Sequence, residues 1–184
     1  MSFSFSGGAT EEIKLGGKLS IKQWVPKINQ AANSAGLPDA CMLAVVVQKE
    51  SGGDPNAIGH DAHARSSDPF NPNSPPMYGL NWNYSHGIGL TQITIFPPHR
   101  YGGWRDPNTP SRRLVGKWLT VPDLINPDTS LQISAEYLTS LYKQHGNSIR
   151  TAFRAYNGSG PMAEAYADSA MALYNTCKAQ NLTQ

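Results

Sequence analysis

The eight residues Ala40 to Val47 carry no charge, no glycine and no proline. That run is far below the roughly 20 apolar residues a membrane-spanning helix needs, so it has to be buried inside a globular core. Asp39 stands where a helix N-cap is wanted, and Leu43, Val46, Val47 and Glu50 follow at i, i+3, i+4 and i+7. Ser51-Gly52-Gly53-Asp54-Pro55 then ends the helix, because two glycines and a proline cannot continue it. The spacing sets an acid, Glu50, on the inner edge of a helix terminus. Desolvation there disfavours the charged carboxylate and raises its pKa, and a carboxyl still protonated near neutrality is what a general acid must be. Periodicity alone leaves open a side chain that turns past the last helical turn into solvent.

Around this helix the punctuation divides the chain. Residues 1 to 19 are Ser/Gly-rich and patternless and read as a flexible N-terminal arm, with a single domain over residues 20 to 184. Ile21, Trp24, Ile28, Ala31 and Ala32 recur at helical intervals before Ala35-Gly36-Leu37-Pro38, and Pro26 moves the helix start to near Val25. Residues 51 to 87 read as one long loop, and 97 to 127 as a second irregular stretch anchored by Trp104 and Trp118. Three helices follow. The first is capped by Asp128, carries Leu131, Ala135, Leu138 and Tyr142 on one face, and closes at His145-Gly146. The second opens at Asn147 and repeats the stripe with Ile149, Ala152, Phe153 and Tyr156. Pro161 starts the last, with Ala163, Tyr166, Ala170, Leu173 and Cys177 along one face. No segment reads as a strand, so the expected fold class is mainly α, with long loops and little or no sheet.

A hydrophobic fraction of 39% suffices for a core, and a net charge of +2 with no basic block gives no nucleic-acid footprint. No segment is long enough to insert in a membrane, and no secretory signal is legible at the N-terminus. Cys41 and Cys177 match no metal or redox spacing; buried free thiols are expected ahead of a disulfide. His60, Asp61, His63 and His86 are acceptable metal ligands by type, but an i, i+3 pair in a loop defines no coordination geometry, and they are expected to be solvent-exposed with no metal bound.

Three short motifs occur in order: Glu50-Ser51, Gly89-Leu90-Thr91-Gln92-Ile93 and Ala155-Tyr156-Asn157-Gly158. Together they resemble the Glu-Ser, Gly-Leu-Met-Gln and Ala-Tyr-Asn signatures of the soluble lytic transglycosylase family with the goose-lysozyme-like fold. The likeness spans residues 39 to 158. It implies a lysozyme-like domain that cleaves peptidoglycan glycan strands without a cofactor, as a monomer, with Glu50 as catalytic acid and base. Tyr156 would orient a hydroxyl toward the Glu50 carboxyl, and Gln92 would make a polar contact to the sugar. Ser51, Thr91, Asn157 and Ser85 complete the implied substrate contacts, while Trp82, with Tyr84 and Trp104, offers flat rings to a glycan groove or anchors for the loop.

The chain also departs from the family pattern. Thr91 stands where Met or Phe is usual, Ser130 and Ser134 replace Asn and Gly, and Ser159 interrupts a glycine run. Glu50 and Gln92 lie 42 positions apart because of the inserted loop. A hydrolytic muramidase would need a second carboxylate, for which Asp54, Asp61, Asp68 and Asp106 are candidates, although Thr94 occupies the place where goose-type lysozymes commonly carry an acid. A non-catalytic wall-binding or virion domain is the alternative outside enzymes, and an idle buried carboxyl speaks against it. Without a legible export signal, delivery to the wall or periplasm is expected through a bacteriophage endolysin or virion-associated lysin setting, or through a secretion machine.

Overall fold

The computed structural model describes residues 4–5, 21–61, 85–95, 112–180 and 182–183. A 3-10 turn, Lys22–Trp24, leads into α1 (Val25–Ala35) with Pro26 in its first turn, where its missing N–H costs nothing. Gly36, at φ +66°, ends α1 in the left-handed conformation. Helix α2 (Ala40–Ser51) begins as the sequence predicts: the Asp39 carboxylate accepts from the Cys41 N–H at 2.8 Å. Every residue from Ala40 to Gln48 is buried, so α2 is the central rod of the molecule.

Two predicted caps are displaced by a residue or two. Helix α4 (Pro127–Gln144) is capped by Asn126, whose side-chain oxygen accepts from the Asp128 and Thr129 N–H groups, while Asp128 sits in the first turn. Helix α5 (Ile149–Asn157) is capped by Ser148, and Asn147 instead takes a left-handed φ of +62°. Helix α6 (Pro161–Ala179) starts at the predicted proline. A further helix, α3 (Val121–Ile125), escaped the sequence reading because it is one turn long; Thr120 and Asp123 form its capping box.

The fold is mainly α, but the sheet content exceeds the expectation of no strand. Strands β2 (Ile58–Asp61), β3 (Ser85–Ile88) and β4 (Ile93–Ile95) make an antiparallel sheet in the order β2-β3-β4, so both ends of the 51 to 87 segment are paired with each other. A hairpin joins β5 (Arg112–Leu114) to β6 (Lys117–Leu119), and β1 (Ser4–Phe5) pairs with β7 (Leu182–Thr183). These strands are two to four residues long, too short to show the alternation that identifies a strand in sequence. Trp118, predicted to anchor its segment, is 55% exposed; Trp104 lies outside the described residues.

Two apolar clusters form the interior. The larger packs α1, α2, α4, α5 and α6 around Ile28, Met42, Leu43, Leu131, Leu138 and Phe153. The smaller gathers Ile88, Ile93 and Ile95 of the sheet with Leu119, Val121, Leu124 and Ile133. Helix α4 contributes to both. Cys41 and Cys177 are joined in a disulfide that ties α2 to α6, which corrects the expectation of free thiols. Their burial was legible, but a sequence separation of 136 gave no hint of pairing.

Candidate active site

The last turn of α2, the Gly89–Gln92 turn, α5 and α6 converge where the two apolar clusters meet. Leu90 belongs to the larger cluster, while Ile88 and Ile93 on either side belong to the smaller. Gly89 has two reasons to be glycine: its φ is +73°, and a Cβ there would lie 2.0 Å from the Leu124 carbonyl oxygen. Ser51 stitches the turn to α2, since its hydroxyl donates to Leu90 O at 2.8 Å and accepts from the Gly53 N–H at 3.1 Å. The Trp24 indole N–H donates to Gly53 O at 2.8 Å, fixing the same helix end from α1's side.

Glu50 as a residue is partly exposed, yet protein surrounds its carboxyl closely enough that desolvation dominates and raises its pKa above 4.5. Two groups oppose that rise, a hydrogen bond from the Tyr166 hydroxyl at 2.5 Å and the nearby Lys49 ammonium. Lys49 in turn lies 4.5 Å from the Tyr166 ring centroid and donates to Ser169 Oγ at 2.6 Å, so it braces the tyrosine from the neighbouring turn of α2.

The sequence reading put Tyr156 in the place that Tyr166 occupies. The Tyr156 hydroxyl donates instead to the Thr91 carbonyl oxygen at 2.8 Å and lies 3.3 Å from Ser134 Oγ. It remains near Glu50, whose charge, second to burial, pushes the Tyr156 pKa up. Tyr166 was visible on the stripe of α6, and its being the polar-tipped ring among alanines was the available clue. Facing salt bridges hold α5 to α6, with Arg150 on Glu164 and Asp168, and Arg154 on Glu164. Being largely exposed, they orient the helices more than they stabilise them.

The remaining predicted contacts divide by exposure. Thr91 is fully buried, 3.0 Å from Ser130 Oγ and accepting from Ser134 Oγ at 2.6 Å, so its side chain lies beneath the site rather than on its surface. The three departures at 91, 130 and 134 thus touch one another: small hydroxyls on α4 are matched by a hydroxyl in the turn. Gln92 adopts a left-handed φ of +49°, and its amide donates to Ala57 O and Gly89 O, each at 2.9 Å. Its carbonyl oxygen lies over the cross-strand glycine pair Gly59 and Gly87, where a Cβ would come within 2.5 and 2.6 Å of it. Gln92 therefore braces the sheet against the turn. Asn157 is exposed at the end of α5. Ser85 opens β3 opposite Asp61, and Trp82 lies outside the described residues. Asp54 turns back to accept from the Asn56 N–H at 2.9 Å, and Asp68 and Asp106 lie outside the described residues. His86, expected in solvent, is buried, its ring Nδ1 3.1 Å from Gly59 O. Among the described residues no cluster of three metal-ligating side chains occurs.

An acid raised by burial, at the end of a core helix and opposite a hydroxyl-rich turn, is accompanied by a match at the level of the whole domain. The sequence profile of the Transglycosylase SLT domain family matches residues 26–173, most of the chain. The chain belongs to this family. It is a peptidoglycan transglycosylase domain acting on the cell wall, with the mainly α, lysozyme-like architecture expected of it. No curated protein and no solved structure matches the chain. No helix of this SLT domain, among the described residues, is long and apolar enough to cross a membrane.

Proposed function

We propose that this domain cleaves the β-1,4 bond between N-acetylmuramic acid and N-acetylglucosamine and leaves a 1,6-anhydro muramoyl end, with Glu50 serving as acid and then as base. The carrying observation is the desolvated Glu50 carboxyl under the Tyr166 hydroxyl. Glu50, protonated, gives its proton to the glycosidic oxygen, and the bond from muramoyl C1 to that oxygen breaks. The sugar's own O6 then bonds to C1 while its proton passes to the Glu50 carboxylate, which restores the acid. No water is consumed. Burial favours the protonated state needed first, and Tyr166 and Lys49 limit the cost of the anion needed second.

In this reading Tyr166 acts on Glu50 directly, and Tyr156 acts through the Thr91 carbonyl and the turn. Ser51 and Gln92 hold the turn in register, and Asn157 is the exposed polar group available to the glycan. The Asp54 carboxylate is already engaged with its own turn, so among the described side chains it offers little support for a water-activating second acid. The test is digestion of purified peptidoglycan by the wild type and by Glu50→Gln, with muropeptides read by mass spectrometry and folding checked by circular dichroism. Products lighter by one water and lacking a reducible end, absent with the variant, are expected. Reducible ends at full hydrolytic mass would overturn the lyase assignment.

A further inference from the structure

On the side of α4 away from Glu50, the structure has an open pocket of about 650 Å³. Its walls come from α1 (Lys27, Gln30), β6 (Lys117, Trp118) and the start of α4 (Asp128, Gln132), with the α3 capping residue Asp123 at one edge. Ser130 and Ser134 point toward Thr91 and the Glu50 region, whereas Thr129 and Gln132 line this pocket. At 3.6 residues per turn, the two sets lie about 150° apart around a helix roughly 10 Å thick. The pocket is thus a separate place from the site described above.

Its chemistry selects a ligand class. The charges in the walls are already spent: Lys27 is paired with Asp128 at 2.5 Å and Lys117 with Glu136 at 3.2 Å. Asp123 accepts from the Thr120 N–H and hydroxyl. With two cations and two anions among the lining residues, the pocket offers no net charge to a phosphate, a carboxylate or an amine. What it does offer is an indole more than half exposed, on a two-stranded hairpin, with the carboxamides of Gln30 and Gln132 in the same walls, the latter donating to Glu136 Oε1 at 2.9 Å and keeping its own oxygen as an acceptor. An exposed tryptophan ring packs its flat apolar face on a flat apolar partner while polar groups beside it meet hydroxyl or amide edges. A cavity of this size, lined by an aromatic ring and a few convergent polar groups, fits a small neutral ligand.

We propose that this pocket is a second saccharide site, binding a neutral N-acetylated hexosamine stretch of glycan against Trp118, with Gln30 and Gln132 as polar partners. The choice of glycan rests on the proposed activity, since the same polymer is then the substrate. The site would hold the enzyme on the wall through a contact that takes no part in bond cleavage.

The experiment uses the full chain carrying Glu50→Gln, titrated with a β-1,4-linked tri-N-acetylglucosamine while amide and indole N–H resonances are followed by NMR. The Trp118 indole signal, assigned through Trp118→Phe, and the Gln30 and Gln132 side-chain amides should shift together. Trp118→Ala, which changes an exposed hairpin residue, should weaken the protein's sedimentation with insoluble peptidoglycan on the order of tenfold, as loss of an aromatic anchor does. Gln132→Ala should weaken it less, and Trp118→Ala made in the protein with Glu50 intact should leave turnover of soluble glycan fragments unchanged. Shifts confined to residues around Gln92 and Tyr156, or equal sedimentation of wild type and Trp118→Ala, would overturn the proposal. Failure of the enzymatic reading is separately visible: the Trp118 signals would still shift while the wild type releases no anhydro product.

Discussion

Replacing Tyr166 by Phe removes one hydroxyl from the Glu50 carboxyl and leaves the ring in place beneath Lys49. The hydroxyl donates to the carboxyl and thereby favours the ionised form, so its loss must raise the Glu50 pKa further. A hydrogen bond to a charged group is worth about 1.5–3 kcal/mol against about 0.5–1.5 kcal/mol between neutral groups, so the hydroxyl favours the carboxylate over the acid by the difference, on the order of 1 kcal/mol. Because Glu50 has to enter the reaction protonated, activity falls on the alkaline side as the carboxyl ionises. The pH profile of kcat/KM on peptidoglycan should therefore keep its shape while its alkaline limb moves to higher pH. The maximal rate should fall by about tenfold or more, since the carboxylate formed midway has lost its donor. Lys49→Met should move the limb in the same direction by less, because that cation is not hydrogen-bonded to the carboxyl in the structure. An alkaline limb that stays put or moves down in Tyr166→Phe, with the variant folded, would refute the reasoning.

Other perturbations test the scaffold. Burial raises the Glu50 pKa, so the folded state holds the proton more tightly than the unfolded one and stability is lost as pH climbs from 4.5 through the folded value; Glu50→Gln should melt higher than the wild type at pH 7, with no gain below pH 4.5, by calorimetry. Cys41→Ser with Cys177→Ser removes a link across 136 residues and should cost about 2–5 kcal/mol in urea unfolding, matched by the wild type under reductant. Gly89→Ala forces a Cβ onto the Leu124 carbonyl at a left-handed φ and should cost more than about 2 kcal/mol in the same assay. Thr91→Val should cost about 1–3 kcal/mol by stranding the Ser130 hydroxyl and leaving Ser134 only its longer contact to Tyr156, with KM nearly unchanged because the side chain lies below the surface.

The long helices were legible because each announces itself locally, whereas the single turn of α3 is too short to show a stripe. Pro26, Asp39, Gly52 and Pro161 mark their ends, and the apolar stripes between are long enough to establish a period. Glu50 was legible for the same reason, as an acid in phase with Val46 and Val47. What stayed hidden was set by partners distant in sequence. Strands of three or four residues pair across the inserted segment, the disulfide spans most of the chain, and the choice between Tyr156 and Tyr166 depends on how α5 and α6 pack. Thr91, Ser130 and Ser134 looked like three unrelated departures until contact explained them as one set. Gln92 looked like a surface group, and only the facing glycines at 59 and 87 reveal where its side chain lies.

The acid stands at a junction, with its helix rooted in one apolar cluster and the turn opposite carried by a sheet rooted in the other. Several ties cross that junction near the carboxyl: the Ser51 hydroxyl to Leu90 O, the Tyr156 hydroxyl to Thr91 O, and the Ser130 and Ser134 hydroxyls to the Thr91 side chain. Leu90 of the turn is buried in the larger cluster and Ile133 of α4 in the smaller, so the turn cannot part from the helix end without opening both, and the packing that closes the core is also what keeps water from Glu50. Proton affinity and packing at this junction are therefore one variable. The acid is armed by the same contacts that bind the two clusters into one body.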